Sequence, residues 1–186
     1  GNENGIGSYG DTSMFIRRTS DNEKTESLSP KPLIYRVYAN RAYPITTAGV
    51  LKFKMYKSRS GFDGHFIVLP SNFVDMTWSE NGDIYVCCRN SAEEQGPDAK
   101  NYLAGNVGDK TEIEVVIAFD VQESKYTMWI DSVVVVADKY SRAMYNNMHS
   151  VPTSVSYLRI YTEYGKTGDE FGIKDYGIYT ASGYGQ

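Results

Sequence analysis

Apolar and polar residues alternate with a period of two along most of the chain. The clearest run is VLKFKMYK (50–57), with Leu51, Phe53 and Met55 on one face and Lys52, Lys54 and Tyr56 on the other. EIEVVIAFD (112–120) places Ile113, Val115, Ile117 and Phe119 opposite Glu112, Glu114, Val116 and Ala118. IYVCCR (84–89) sets Ile84, Val86 and Cys88 against Tyr85, Cys87 and Arg89, and VSYLRIYT (155–162) sets Leu158 and Ile160 against Arg159 and Tyr161. Successive side chains of a strand point to opposite faces, so each run predicts a half-buried strand. Shorter segments of the same kind are SMFIRRTS (13–20), LIYRVY (33–38), HFIVL (65–69), FVDMTW (73–78), YTMWID (126–131), VVVVA (133–137) and FGIKDYGIY (171–179). Turn chemistry separates them: Gly61 with Asp63-Gly64, Asn81-Gly82-Asp83, Gly105 to Asp109, and a polar stretch (91–100) holding Gly96-Pro97. Residues 138–152 carry no decided pattern; AMYNNM suits a helical turn that Pro152 would end. Ten or eleven such strands and no long helix predict an all-β protein, a jelly-roll β-sandwich of two antiparallel sheets. Residues 1–10 read as a flexible lead and 11–186 as a single domain.

Composition narrows the class. The 186 residues suffice for one core without a disulfide framework. The only cysteines, Cys87 and Cys88, are adjacent on a strand, so they point apart and read as two free thiols, one buried and one on the sheet surface. Lys plus Arg number 19 and Asp plus Glu 23, a net charge of −4 that argues against nucleic acid. No apolar run approaches the ~20 residues of a membrane span. Sixteen tyrosines and seventeen glycines favour twisted antiparallel sheet.

The hairpin GDKTEIEVVIAFD (108–120) with YTMWID (126–131) resembles the central hairpin of concanavalin A-like, laminin G-like jelly rolls. There, one strand ends in Asp and the next carries aromatic-x-aromatic-x-Asp after a short turn. LRIYT (158–162) with FGIKDYGIY looks like that family's closing pair of strands, and GDTSM (10–14) like its opening. The chain departs from the family at Ser132, where many members have Gly, and at Lys174-Asp175, where many have two acids. The resemblance implies a carbohydrate-binding module of the kind found beside secreted bacterial glycan-degrading enzymes. Such a module is extracellular, part of a larger multidomain protein, and monomeric as an isolated domain. It binds polysaccharide on a concave sheet or at loop tips. The resemblance also implies a structural Ca²⁺ near the chain ends, with Asp11 and Asp175 at the matching positions and Glu3 or Asn4 as further ligands.

Catalysis finds little support in the residues. A retaining glucanase of this architecture needs two carboxylates about 5 Å apart on one strand. Glu112 and Glu114 share a face, but Val116 and Ile117 follow and no third acid continues the register. The lyases of this fold use a Tyr and a His around an Arg-neutralised carboxylate. Tyr164-Gly165-Lys166-Thr167-Gly168 resembles one of their motifs, yet Glu170 replaces its second Tyr and no Gln-x-His is present. His65 opens a strand and His149 lies in a loop, neither beside a nucleophile.

Binding fits better. Tyr and Trp offer flat apolar area to the C–H face of a sugar, while Arg and Lys bond its hydroxyls. The candidate ligand residues are Tyr85, Arg89, Tyr56, Lys54, Arg159 and Tyr161, expected to share one face if their strands adjoin, and Trp78, just before the Asn81-Gly82 turn. Lys52, Lys54, Arg89 and Arg159 lean this face towards an acidic or mixed glycan. Trp129 shares a face with Thr127 and Asp131, opposite Met128 and Ile130, and the pattern leaves open which of those faces is core. A polysaccharide lyase or hydrolase, or a protein-binding ectodomain, are the alternatives.

Overall fold

The computed structural model describes residues 6–9, 13–28, 45–69, 72–90, 100–141 and 153–180. Among them are thirteen strands: β1 (Ile6–Tyr9), β2 (Ser13–Arg17), β3 (Thr25–Leu28), β4 (Ala48–Lys57), β5 (Gly64–Leu69), β6 (Val74–Trp78), β7 (Asp83–Cys88), β8 (Lys100–Asn106), β9 (Glu112–Asp120), β10 (Lys125–Ile130), β11 (Val133–Tyr140), β12 (Tyr157–Thr162) and β13 (Glu170–Thr180). The expected strand at 33–38, the helical turn near 143–148, and Glu3, Asn4, Asp11 and His149 lie outside the described residues.

The strands form two antiparallel sheets. One has seven in the order β1-β2-β13-β4-β9-β10-β11, the other six in the order β3-β12-β5-β6-β7-β8. This is the expected all-β sandwich, with three strands the sequence pattern did not show. β1 lies inside the stretch read as a flexible lead and pairs with β2; β3 lies in a charged segment and pairs with β12; β8 starts at the last residue of the polar stretch, runs into the expected Gly105–Asp109 turn and pairs with β7. Among the described residues no helix is long and apolar enough to cross a membrane.

The period-two expectation sorts the core correctly. Leu51, Phe53 and Met55 of β4, Ile113, Val115 and Ile117 of β9, and Ile84, Val86 and Cys88 of β7 are all buried between the sheets. Phe53 of one sheet meets Phe66 of the other with ring centroids 4.7 Å apart. Tyr126, Met128 and Ile130 also face inward, which leaves Trp129 half-buried on the outer face of the seven-stranded sheet. Neither cysteine forms a disulfide; Cys88 is buried and Cys87 partly exposed.

Alternation also carries a charged group inside. Lys57 follows Leu51, Phe53 and Met55 at the same parity and is buried. Its Nζ donates to the carbonyls of Phe62 (2.5 Å) and Ser79 (3.1 Å) and lies 4.3 Å from the Trp78 ring centroid. Burial pushes the ammonium down to about 7, against the opposing pull of Asp63 and Glu80.

Candidate functional site: a cross-strand row on the six-stranded sheet

Strand register places six side-chain positions in one line across the outer face of the six-stranded sheet. Tyr161 (β12) lies between Glu26 (β3) and His65 (β5); His65 pairs with Thr77 (β6), Thr77 with Tyr85 (β7), and Tyr85 with Leu103 (β8). Adjacent strands lie about 4.8 Å apart, so the four-strand reach from Tyr161 to Tyr85 spans roughly 14 Å. Tyr161, Thr77 and Tyr85 are half-buried, and Leu103 is exposed. In the next row Ile67 sits between Arg159 and Asp75, but Ile67 is buried. The Tyr161–Leu103 row has no buried member among Tyr161, His65, Thr77, Tyr85 and Leu103.

One end of the row is a tight network. The His65 and Tyr161 rings stack with centroids 4.2 Å apart and planes at 9°. Lys24 Nζ stands 4.7 Å and the Arg159 guanidinium 5.3 Å from the Tyr161 centroid. Arg159 also hydrogen-bonds Glu26, and that bond is the main cause of the lowered Glu26 carboxyl pKa. Both nitrogens of His65 are engaged: Nε2 with Asp63 Oδ2 at 2.5 Å and Nδ1 with Thr77 Oγ1 at 3.0 Å. Asp63 in turn accepts from the Thr162 hydroxyl (3.0 Å) and from the backbone N–H groups of Glu163 and Tyr164 (2.7 Å to the latter). Burial raises the Asp63 pKa, but the His65 and backbone hydrogen bonds outweigh it and hold the carboxyl below its ordinary value. Tyr161 is pushed up to about 12, by burial first and then by the negative charges of Asp75 and Glu163.

The local sequence explains the arrangement. In Asp63-Gly64-His65 the outer positions share a face and Gly64 takes the inner one. A Cβ there would stand 2.6 Å from the Phe171 ring, so the absent side chain admits that ring to the core. Arg159, Tyr161 and Glu163 likewise share one parity, the first two on β12 and Glu163 just past its end. These two period-two triplets were the signal for Asp63, His65 and Glu163, which sequence reading did not join because β5 and β12 are far apart in the chain.

The structure divides the predicted ligand residues. Tyr85, Arg159 and Tyr161 lie on this face, as the alternation required. Trp78 does not: it is 1% exposed, inward-facing on β6 and covered by Lys57. Arg89 is fully buried at the corner where its backbone forms a two-way bridge with Tyr140 (3.0 Å each way) between the two sheets. Tyr56 and Lys54 belong to β4 and the outer face of the other sheet. The expected single face is thus corrected: three of the seven lie on one outer face, two on the opposite one, and Trp78 and Arg89 are buried. The cationic lean goes with it: Arg89 is buried, Arg159 is bonded to Glu26, and Lys52 lies 3.9 Å from a Glu114 carboxylate oxygen.

For metals, Asp63, His65 and Glu163 form the one group of three such side chains found among the described residues, their ligand atoms within 4.8 Å of one another. The donor set does not fit calcium, which takes six to eight oxygens: one donor is a nitrogen, and the Asp63 oxygens already accept several protein donors. Asp175 is exposed, in a left-handed conformation (φ 54°) beside a β-bulge, and belongs to no such group among the described residues.

No protein-family model matches the chain, and no curated protein does. Solved structures do. A sialidase superposes with a TM-score of 0.61 at 8% identity, covering 95% of this chain but only 17% of the sialidase chain. A structure from work on endo-acting O-glycanases of human gut microbiota gives 0.55 at 12% identity, over 97% of this chain and 83% of that one. An alginate lyase gives 0.52 at 10% identity, over 90% and 75%. At these identities the likeness is one of fold, and the fold is the jelly-roll β-sandwich.

Proposed function

We propose that this domain is a non-catalytic carbohydrate-binding module that holds a polysaccharide along the Tyr161–His65–Thr77–Tyr85 row and tethers a larger secreted protein to its glycan. The carrying observation is the row itself: two half-exposed tyrosines in one line, with hydroxyl and ring groups between them and Arg159 alongside. Tyrosine rings give flat apolar area at small entropic cost, and the polar neighbours meet sugar hydroxyls. The fold likeness to glycan-acting enzymes agrees with this ligand class. The absence of cleavage is supported by the state of the ionisable groups. His65 has both ring nitrogens bonded within the protein, Asp63 is filled with donors, and Tyr161 holds its proton far above neutral pH.

The test is retardation of the domain in native gels cast with a panel of soluble plant and microbial polysaccharides, comparing wild type with Tyr85→Ala. Retardation by one glycan class, reduced about tenfold in affinity by loss of the ring, is the expected result. Undiminished affinity in Tyr85→Ala would remove this face as the site. Release of unsaturated or reducing ends from the retained glycan would overturn the non-catalytic part and favour a lyase or hydrolase.

A further inference from the structure

The opposite face of the sandwich carries a second feature of ligand-binding form. Gly177, Val50, Ala118 and Thr127 lie on the outer face of the seven-stranded sheet, on four adjacent strands, β13, β4, β9 and β10. Tyr179 pairs with Val50, Val50 with Ala118, and Ala118 with Thr127. The Tyr179 side chain is 52% exposed and folds back along its strand over Gly177. A Cβ on Gly177 would stand 2.8 Å from the Tyr179 hydroxyl oxygen and 3.2 Å from Cζ, so the missing side chain is what lets the ring lie down on the sheet. A ring in that posture turns one face to solvent. Beside it, small residues form the floor of a cleft of about 490 Å³ that runs over Ala48, Val50 and Ala118 to Thr127. In the neighbouring row, half-buried Trp129 stands across Val116 and Lys52 from Gly177.

The rim gives the ligand its charge class. Asp120, Glu123 and Asp138 line the cleft against one ammonium, Lys125. That ammonium is engaged with Asp138 at 3.5 Å and stands 4.7 Å from the Tyr140 ring centroid. Carboxylates accept paired hydroxyl protons well and repel uronate or sulfate groups. A flat exposed ring, a floor of small side chains and an acidic rim together match a sugar that presents a C–H face and uncharged hydroxyls.

We propose that this cleft is a second glycan site, for uncharged sugar chains, with Tyr179 as its stacking platform. The two sites lie on opposite faces of the sandwich, so one domain can hold two chains at once. The inference shares with the preceding proposal only the class of ligand; the residues and the sheet are separate.

Isothermal titration of the intact protein with neutral gluco- and manno-oligosaccharides of about six units, each beside an oligouronate control, tests it. The variants are Tyr179→Ala, Ala118→Arg, which fills the floor, and Tyr85→Ala. The expected result is two sites per chain for a neutral ligand in wild type and one in Tyr179→Ala or Ala118→Arg, with oligouronate binding unchanged in both. If Tyr85→Ala alone removes all binding, the second site is refuted and the row on the six-stranded sheet stands. If Tyr179→Ala alone removes all binding, the cleft stands and the row fails. Isotherms of both cleft variants identical to wild type overturn the inference.

Discussion

Lys57 shows how far a period-two pattern can be trusted at the level of one residue. Leu51, Phe53, Met55 and Lys57 share a parity, and the structure keeps Lys57 inside with the other three, its ammonium bound to backbone carbonyls and laid against Trp78. Hydrophobicity alone places a lysine outside, so the pattern was legible and the chemistry misleading. The buried ammonium has a measurable consequence. Between its folded value of about 7 and its ordinary 10.5, the unfolded chain holds this proton and the folded chain has released it. Stability therefore rises with pH across that window, and the Lys57 contribution is flat below it. Urea denaturation midpoints measured from about pH 7 to 9.5 are expected to climb in wild type and to lose that climb in Lys57→Met. Asp63 acts with the same sign in the acid range, since its folded value is depressed as well. Its carboxyl is held below 3.8, so it stabilises the fold above that pH and the contribution is lost as pH falls through the depressed value. Asp63→Asn, which breaks a buried hydrogen-bond set, is expected to cost about 2–4 kcal/mol in chemical denaturation at neutral pH.

Among the elements, β4, β7, β9 and β12 were readable because each is long enough to repeat the alternation and has one face in the core. β3 was not: Thr25–Leu28 is four residues at the edge of its sheet, with exposed Glu26 bonded to Arg159 of β12. β8, Lys100–Asn106, is also an edge strand; its apolar Leu103 points outward and its Gly105 and Asn106 read as turn chemistry. Such strands are specified by the neighbour they pair with, and that neighbour is distant in sequence. The β10–β11 hairpin is specified locally instead. The Asp that ends YTMWID builds the turn: Asp131 and Ser132 take φ of 48° and 69°, and the Asp131 carboxylate accepts from Glu114 N and Lys110 Nζ, both at 2.9 Å. Two successive left-handed residues suit Gly at the second position far better than Ser. Ser132→Gly is accordingly expected to raise stability by about 0.5 kcal/mol, a net of relieved strain over added unfolded-state entropy, readable as a higher denaturation midpoint.

In the whole molecule, what the sequence withheld was which strands are neighbours. Alternation told which side chains face outward on each strand but not to which sheet each strand belongs, and so Tyr56 and Lys54 were grouped with Tyr85 and Tyr161 on a face they do not share. The same gap hid the corner where β7 meets β11. Arg89 has the parity of a surface residue, yet it is completely buried at the corner where it pairs with Tyr140 across the two sheets. Trp78 errs in the other direction: a large aromatic beside an exposed turn looked like a platform, while Val74, Met76 and Trp78 form the inward face of β6. Both residues therefore belong to the stability of the sandwich, and their substitution separates folding from binding. Trp78→Ala is expected to lose about 3–5 kcal/mol, and Arg89→Ala a loss of similar size because charge, volume and buried partners go together. Both substitutions act on one continuous core, so each variant should still melt in a single transition, at a lower temperature than wild type. The glycan affinity of the fraction that remains folded should equal that of wild type, whereas Tyr85→Ala should lower affinity and leave the melting temperature nearly unchanged. Calorimetric melting and glycan titration on the same three variants check this, and a specific loss of affinity in fully folded Trp78→Ala or Arg89→Ala would return those residues to the binding surface.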